Sequence, residues 1–354
     1  MTVDPLPGDA PGAGNGEQDE LYEHFRITVD KGQAPLRIDK FLMLRLEKIS
    51  RNRVQNAAEA RSIRVEGKSV RSNYRVKPGD VISIVLAHPP REVEIIAEDI
   101  PVEIIYEDDD LLVVNKQAGI VVHPGYGNYA GTLVNALAYH IHPGLLNKSV
   151  EAESIRPGLV HRIDKNTSGL LVVAKNEHSM THLAKQFFDR TIQRKYIALV
   201  WGDVQQDSGT LSGNVGRNLS DRKIMDVFPA GDHGKNATTH FEVKEHFGYV
   251  TIIECKLETG RTHQIRVHMK HYGHPLFNDE PYGGKRILKG PAFSKYKQFV
   301  ENCFELIPGQ ALHAFSLGFV HPATGKEMYF EAVLPEGFDK IISKWREYTA
   351  GRKV

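Results

Sequence analysis

One segment stands out for its chemistry: Gly158-Leu159-Val160-His161-Arg162-Ile163-Asp164-Lys165-Asn166-Thr167-Ser168-Gly169-Leu170-Leu171. A polar loop of His, Arg, Asp, Lys, Thr and Ser is held there between two short apolar stretches. Rigid strands presenting a charged loop are a good platform for a reactive carboxylate, and Asp164 is the candidate. Taken alone, Asp164 reads equally as a turn residue beside Asn166 and Thr167. A second polar block follows an apolar run and holds Arg261, His263 and His268. With His271 and His274 these histidines are spaced five, three and three apart. That fits no common structural zinc pattern, and a helix from Thr262 would spread them over different faces, so no metal is expected. Cys255 and Cys303 are too few for a disulfide framework and match no metal spacing. The chain has neither a Gly-rich phosphate loop nor a Cys₄ cluster.

Several elements must hold these residues. Strands are expected at 102–105, 111–115, 170–174, 195–201, 241–245 and 249–257, the last two joined near Gly248. Thr132 should cap a helix running to His140, and Asn176 another with Met180, Leu183, Ala184 and Phe187 on one face. Strands that often follow each other directly argue for an α+β fold with much antiparallel sheet, not a doubly wound parallel one. Tyr196 alternates with Ile197 and Leu199, so by itself it reads as core. Arg261 by itself reads as a strand-end surface charge.

With 354 residues, 41% hydrophobic and 25% charged, the chain has room for about two globular domains. Composition excludes collagen-like, mucin-like and wholly disordered chains. No apolar run approaches the roughly 18 residues of a membrane helix, and the N-terminus lacks a signal-peptide pattern, so a cytoplasmic protein is expected. Residues 1–20 carry almost no large apolar side chains and should be disordered. The net charge of +1 hides an asymmetry: between residues 37 and 77, twelve Lys and Arg stand against four Asp and Glu. A module that basic usually meets a polyanion. From Leu36 its apolar residues repeat at helical spacing through Leu46 and Ile49; a second helix is expected from Arg51 to Ala60, capped by Ser50, then a strand at Ile63 and Val65 and another at 81–85, with His88-Pro89-Pro90 as linker.

This module, through Arg37-Ile38-Asp39-Lys40-Phe41-Leu42, Ser50-Arg51-Asn52-Arg53-Val54-Gln55 and Ile63-x-Val65-x-Gly67, resembles the S4 RNA-binding domain (α-L) over roughly residues 36–85. The resemblance implies RNA contacts from Arg37, Lys40, Arg51, Arg53 and Gln55, those on the second helix near its N-terminal end. Residues 158–171 resemble the His-Arg-Leu-Asp-x-x-Thr-Ser-Gly-Leu motif of pseudouridine synthases of the RluA/RluD type, with Ile163 for the usual Leu. Four further blocks agree: residues 121–137, with Val121-Val122-His123-Pro124-Gly125; Arg194-Lys195-Tyr196-Ile197-Ala198-Leu199-Val200; residues 257–284, with Gly260-Arg261-Thr262-His263-Gln264-Ile265-Arg266; and Gln310-Ala311-Leu312-His313-Ala314 with His321-Pro322.

The resemblance implies a catalytic domain over 91–354 with a mixed, largely antiparallel sheet, preceded by an S4 domain and linker over 21–90. Its reaction breaks the uridine N1–C1′ bond, turns the base and rejoins it through C5. No redox change and no group donor are involved, so no cofactor is expected. It assigns the anion to Asp164, the carboxylate's partner to Arg261, and stacking with proton transfer to Tyr196. Attack on C1′, addition to C6 and assisted elimination all stay open. Arg162 resembles an arginine that fills the flipped nucleotide's place, although a phosphate contact explains it equally well. His161, Arg194 and Lys195 complete the expected RNA contacts. The implied substrate is structured RNA, foremost large-subunit (23S) ribosomal RNA, with monomer as default state. Transfer RNA, and an inactive RNA-binding assembly factor, are the rival readings; a metal-dependent nuclease would need carboxylate clusters these blocks lack.

Overall fold

The computed structural model describes residues 22–46, 51–86, 95–125, 127–142, 144, 149–150, 158–221 and 224–351. The expected N-terminal disorder, the Ser50 cap and the His88–Pro90 linker lie outside them. The chain divides into two compact units, Met1–Val93 and Glu94–Val354.

In the first unit, β1 (Tyr22–Thr28) is followed by α1 (Ile38–Arg45), α2 (Arg51–Glu59), β2 (Ile63–Val65), β3 (Lys68–Ser69) and β4 (Val81–Leu86). The strands form an antiparallel sheet in the order β1-β4-β2-β3. Helical spacing turns Ile38, Phe41 and Leu42 inward to meet Val54 and Ala57 of α2 and Ile63, Ile82 and Ile84 of the sheet. The β2–β3 turn has positive φ at both central residues, Glu66 and Gly67, as the tight hairpin requires.

This unit changes the reading of three expected RNA contacts. Asp39 is fully buried at the start of α1. Its carboxylate accepts from Arg37 Nε and Nη2 (3.1 and 3.0 Å), Arg51 Nε (3.1 Å), Gln55 Nε2 (3.1 Å) and the Lys40 N–H (2.9 Å). Burial would raise the Asp39 carboxyl, but the hydrogen bonds from Arg37, Arg51 and Gln55 prevail and hold it well below the usual carboxylate range. Gln55 is therefore a strut of a buried ion cluster and not a free RNA contact. Arg37 and Arg51 brace the same cluster, and their side chains remain 38% and 45% exposed. Lys40 is exposed.

In the second unit, β5 (Ile95–Ile96), β6 (Glu103–Glu107) and β7 (Leu111–Lys116) precede α3 (Leu133–Ile141). Next come β8 (Ser149–Val150), β9 (Gly158–Leu159), β10 (Ser168–Ala174), α4 (Glu177–Asp189) and β11 (Gln193–Trp201). A run of strands follows: β12 (Ser208–Arg217), β13 (Met225–Phe228), β14 (Lys235–His246) and β15 (Val250–Leu257). The chain closes with α5 (Gln264–His271), α6 (Ser294–Phe304), β16 (Leu312–Val320), β17 (Glu327–Glu331) and α7 (Glu336–Ala350). One sheet runs β13-β12-β14-β15-β11-β16-β10-β7-β6, with β17 on β16 and β9 on β10. Only the β10–β16 pairing is parallel among the described strands of this sheet. The fold is α+β.

Helices cover both faces of this sheet. Leu112, Val114, Leu171, Val173 and Ile253 pack with Leu133 and Leu137 of α3 and Ile265 and Met269 of α5. Their strand neighbours Leu111, Val113, Leu170 and Val172 pack with Leu183 of α4 on the other side, where Leu199, Trp201 and Ile252 meet α6 and α7. Covering both faces is why Ser168–Ala174 is buried throughout instead of alternating. Thr132 and Asn176 cap α3 and α4 as expected. The buried face of α4 is Ser179, Leu183 and Gln186, however; Met180 and Ala184 face solvent because the packing stripe is rotated by about one position. Among the described residues, no helix is long and apolar enough to cross a membrane.

Candidate active site

Asp164 sits on the loop that leads into β10, and two hydrogen bonds fix that loop. The Thr167 N–H donates to the Asp164 carbonyl (3.1 Å), and Gln310 Nε2 to Thr167 Oγ1 (3.0 Å). Beside it Gly169 has φ +114, and a Cβ there would stand 2.3 Å from the Ala314 carbonyl oxygen. Only glycine permits β10 to run parallel against β16 at that point. Ala314 is also the register partner of Tyr196 on β11. The sheet thus sets the carboxylate loop and the tyrosine two strands apart, on one cleft.

Lys116 ends β7 under this loop, 2% exposed. Its ammonium donates to the carbonyls of Gln117 (2.7 Å), Ile120 (2.8 Å) and Lys165 (3.0 Å), and the Gly119 N–H also reaches Lys165 O (2.9 Å). Burial pushes its pKa down to about 7, against the opposing pull of Asp164. Lys116 is thereby a strut of this turn, with its ammonium engaged by three backbone carbonyls.

The arginine on Asp164 is Arg266. Its Nη1 donates to Asp164 Oδ2 (2.9 Å), while Nε and Nη2 make a two-point bond to the buried Asp279 (2.8 and 2.9 Å). The Tyr282 ring lies under the guanidinium, 4.9 Å from its centre. Burial opposes the Arg266 charge, but Asp279 and Asp164 outweigh it and hold the group charged. This corrects the expectation for Arg261. That residue precedes α5, its N–H is held by Gln264 Oε1 (3.0 Å), and its Nε donates to the Asn236 carbonyl (3.0 Å) on β14. It lines the mouth of the cleft without pairing with Asp164. The physical reason is helical phase: Arg266, in the first turn of α5, points inward with Ile265 and Met269, whereas Arg261 lies on the turn outside the helix.

Between the two arginines, His263 occupies the N-cap of α5 with φ 55° and ψ 21°. A non-glycine residue in this left-handed region costs about 1–2 kcal/mol. Its Nδ1 shares a hydrogen bond with Tyr282 Oη (2.8 Å), and its Nε2 lies 3.8 Å from Asp164 Oδ1. Burial pushes its imidazole below the ordinary histidine value. The other histidines considered as metal ligands are dispersed: His268 Nδ1 bonds Thr239 Oγ1 (2.9 Å) and His274 Nδ1 bonds the Trp201 carbonyl (2.8 Å).

The cleft above Asp164 encloses about 470 Å³ and is lined by Arg162, Arg194, Tyr196, His263 and Arg266 among others. Tyr196 is 7% exposed, and burial pushes its phenol up, so it keeps its proton at neutral pH. Arg162 is exposed at the rim. Arg194 lies over the Phe187 ring (5.3 Å), and its buried Nε has no hydrogen-bond partner among the described residues. Two expected RNA contacts fall away. His161 stacks on Phe187, its Nε2 accepts the Val172 N–H (3.0 Å), and burial pushes its pKa down to about 3, so it is neutral and closes the edge of β10. Lys195, between Arg194 and Tyr196, points to the opposite face of β11 and pairs with Glu254 (3.0 Å). A second cavity of about 630 Å³ shares Gly260, Arg261 and Thr262 with the first and adds Arg217, His233 and Lys235, with no carboxylate in its wall among the described residues.

Arg266, His263 and Asp279 all stand in the polar blocks of the sequence; residue type marked them, but nothing in their spacing gave their direction.

Residues 110–271 match the family model of RNA pseudouridylate synthases, and residues 36–82 that of the S4 domain. A protein of Chlorobaculum parvum named as an uncharacterized RNA pseudouridine synthase is 46% identical over 321 residues, covering 90% of this chain and 97% of that one. The ribosomal large subunit pseudouridine synthase D of Vibrio vulnificus is 41% identical, covering 90% and 94%. Among solved structures, human RNA pseudouridylate synthase domain containing 4 shares the fold, with a TM-score of 0.53 at 22% identity over 69% of this chain and 93% of that one.

Proposed function

From the premise that the chain belongs to the RNA pseudouridylate synthase family, with an S4 domain, and isomerises uridine to pseudouridine in RNA, we propose that its substrate is large-subunit ribosomal RNA and that Asp164 carries the reaction. The observation that supports the site most is one geometry: an Asp164 carboxylate held by Arg266 in a cleft that Tyr196 and Arg194 also line. Arg266 orients the carboxylate and balances its charge in a partly dry site. Tyr196 offers a face for the uracil and a protonated phenol for proton transfer. Arg194, on the wall of the cleft, meets a backbone phosphate with its guanidinium, and Arg162 at the rim enters the stack that the target nucleotide leaves. Arg261, with Arg217 and Lys235, lines the path of flanking nucleotides through the second cavity. Lys40, Arg53 and the outer N–H groups of Arg37 and Arg51 form the phosphate-facing side of the S4 unit. The ribosomal substrate is supported by relatives named ribosomal large subunit pseudouridine synthase D, at 38–41% identity over most of the chain. With that reading goes a cytoplasmic protein acting during assembly of the large subunit, with monomer as the default state.

Two experiments test these roles. Tyr196→Phe keeps the ring and should bind RNA like the parent while turnover falls by about 10²–10³, the scale of a lost acid–base group. Tyr196→Ala should also lose stacking, worth roughly 1–3 kcal/mol per base. A fully active Tyr196→Phe would reduce the residue to a platform. In the second test, removal of residues 1–90 should leave a folded, weakly active second unit whose log affinity depends less steeply on log salt. The slope falls by about 0.7–0.9 for each phosphate that the shortened chain no longer neutralises; an unchanged slope would take the S4 unit off this RNA. Mapping pseudouridines in ribosomal and transfer RNA from cells with and without the gene decides the substrate.

A further inference from the structure

We infer that His263 is a second substrate-facing group of the active site: a neutral, tautomer-locked N–H donor that holds a carbonyl oxygen of the target uracil while the ring carries negative charge. The inference rests on the proposed reading of the cleft as the uridine site. Its first support is a proton count. Tyr282 Oη is buried and accepts the Met225 N–H (2.9 Å), which occupies one of its acceptor sites and leaves the phenol's own proton in need of an acceptor. His263 Nδ1, at 2.8 Å, is that acceptor. The ring proton of the neutral imidazole therefore sits on Nε2. That atom faces the cleft, 3.8 Å from Asp164 Oδ1, which is too long for a hydrogen bond between them and leaves the donor for a third atom. The second support is the backbone. His263 holds a left-handed conformation that glycine or asparagine would adopt with less strain, and such strain is found where the surrounding structure requires a particular side chain.

The groups facing the ring are balanced: Asp164 and Asp279 favour its protonation, and Arg266 and Arg162 oppose it, with burial deciding for the neutral form. A neutral donor suits the reaction. When N1–C1′ breaks, its electron pair leaves on the base, and the charge spreads over N1 and the ring oxygens. When C5 bonds to C1′, that charge is spent on the new bond and a carboxylate bonded to C1′ is released; a base then takes the C5 proton and N1 gains one, so the reaction remains an isomerisation. If Asp164 instead adds first to C6, the charge appears on O4 as an enolate, and the C6–O bond breaks again, returning the carboxylate, before the product forms. In each course a fixed N–H beside the carboxylate stabilises the charged ring more than the starting uridine, and His263 itself gains and loses no proton.

The test compares His263→Asn and His263→Gln in single-turnover consumption of the target nucleotide, in RNA carrying uridine or 5-fluorouridine. Asparagine keeps an amide near Nδ1 and tolerates the backbone but has no atom at Nε2; glutamine returns an N–H near that position. Asparagine should slow uridine consumption by about 10²–10³, the cost of one such donor, with RNA affinity unchanged within about twofold. Glutamine should recover at least about tenfold of that loss. Fluorine withdraws charge from the ring, so the asparagine defect should shrink by about tenfold on 5-fluorouridine. An equal defect on both substrates would mean that His263 only packs the site, and full activity of His263→Asn would remove it from catalysis. Either result overturns this inference even where Asp164→Asn is inactive, whereas an active Asp164→Asn would instead remove the reading of the cleft on which it rests.

Discussion

Asp164→Asn should release no tritium from 5-tritiated uridine in RNA, a fall on the order of 10⁴–10⁶ in turnover, as for loss of a nucleophile. The amide has the shape of the carboxylate, and its oxygen can still accept Arg266 Nη1, which now bonds Oδ2 at 2.9 Å. Packing around the loop does not depend on the charge, because the loop is fixed by the Thr167 N–H, by the Gln310 amide on the Thr167 hydroxyl and by the Lys116 ammonium on the Lys165 carbonyl, none of which uses the Asp164 carboxylate. RNA affinity should stay near that of the parent, since phosphate contacts elsewhere dominate it. A clean preparation that still turns over would take Asp164 out of the reaction.

The second large effect separates the two arginines of the α5 block. Arg266→Met should be both inactive and destabilised by about 3–5 kcal/mol, because it strands the fully buried Asp279 without its cation. Adding Asp279→Asn should restore much of the unfolding free energy, measured in urea, since both buried charges are then gone. It should restore no activity, since Asp164 still lacks its guanidinium. Arg261→Gln should leave stability and turnover of bound RNA nearly unchanged and weaken RNA binding, flattening the salt dependence by up to about 0.7–0.9 for one phosphate contact. If Arg261→Gln abolishes turnover while Arg266→Met retains it, the assignment of the two arginines is reversed.

Those two arginines show where local pattern stops. The alternation and capping signals determined much of the frame from sequence: the fully apolar run at β10, the Thr132 and Asn176 caps, the paired strands around Gly248 and the two helices of the basic unit are local consequences of side-chain size, branching and turn residues. The motif blocks likewise marked the Asp164 loop, the Tyr196 strand and the polar segment before α5. β1 escaped because its residues acquire a reason to be a strand only against β4, about sixty residues away. Direction escaped for the same kind of reason. Five residues separate Arg261 from Arg266, and only the start of α5 at Gln264, after a left-handed His263, decides which of them turns toward Asp164. Asp39 makes the point in the basic unit: a count of charges sees Arg37 and Arg51 as RNA contacts, but a buried carboxylate claims part of each. Residue types and their order determined which chemistry the chain carries. Tertiary structure alone decided which atoms meet, because an ion pair or a tautomer depends on separations of a few ångströms between segments that sequence places up to a hundred residues apart.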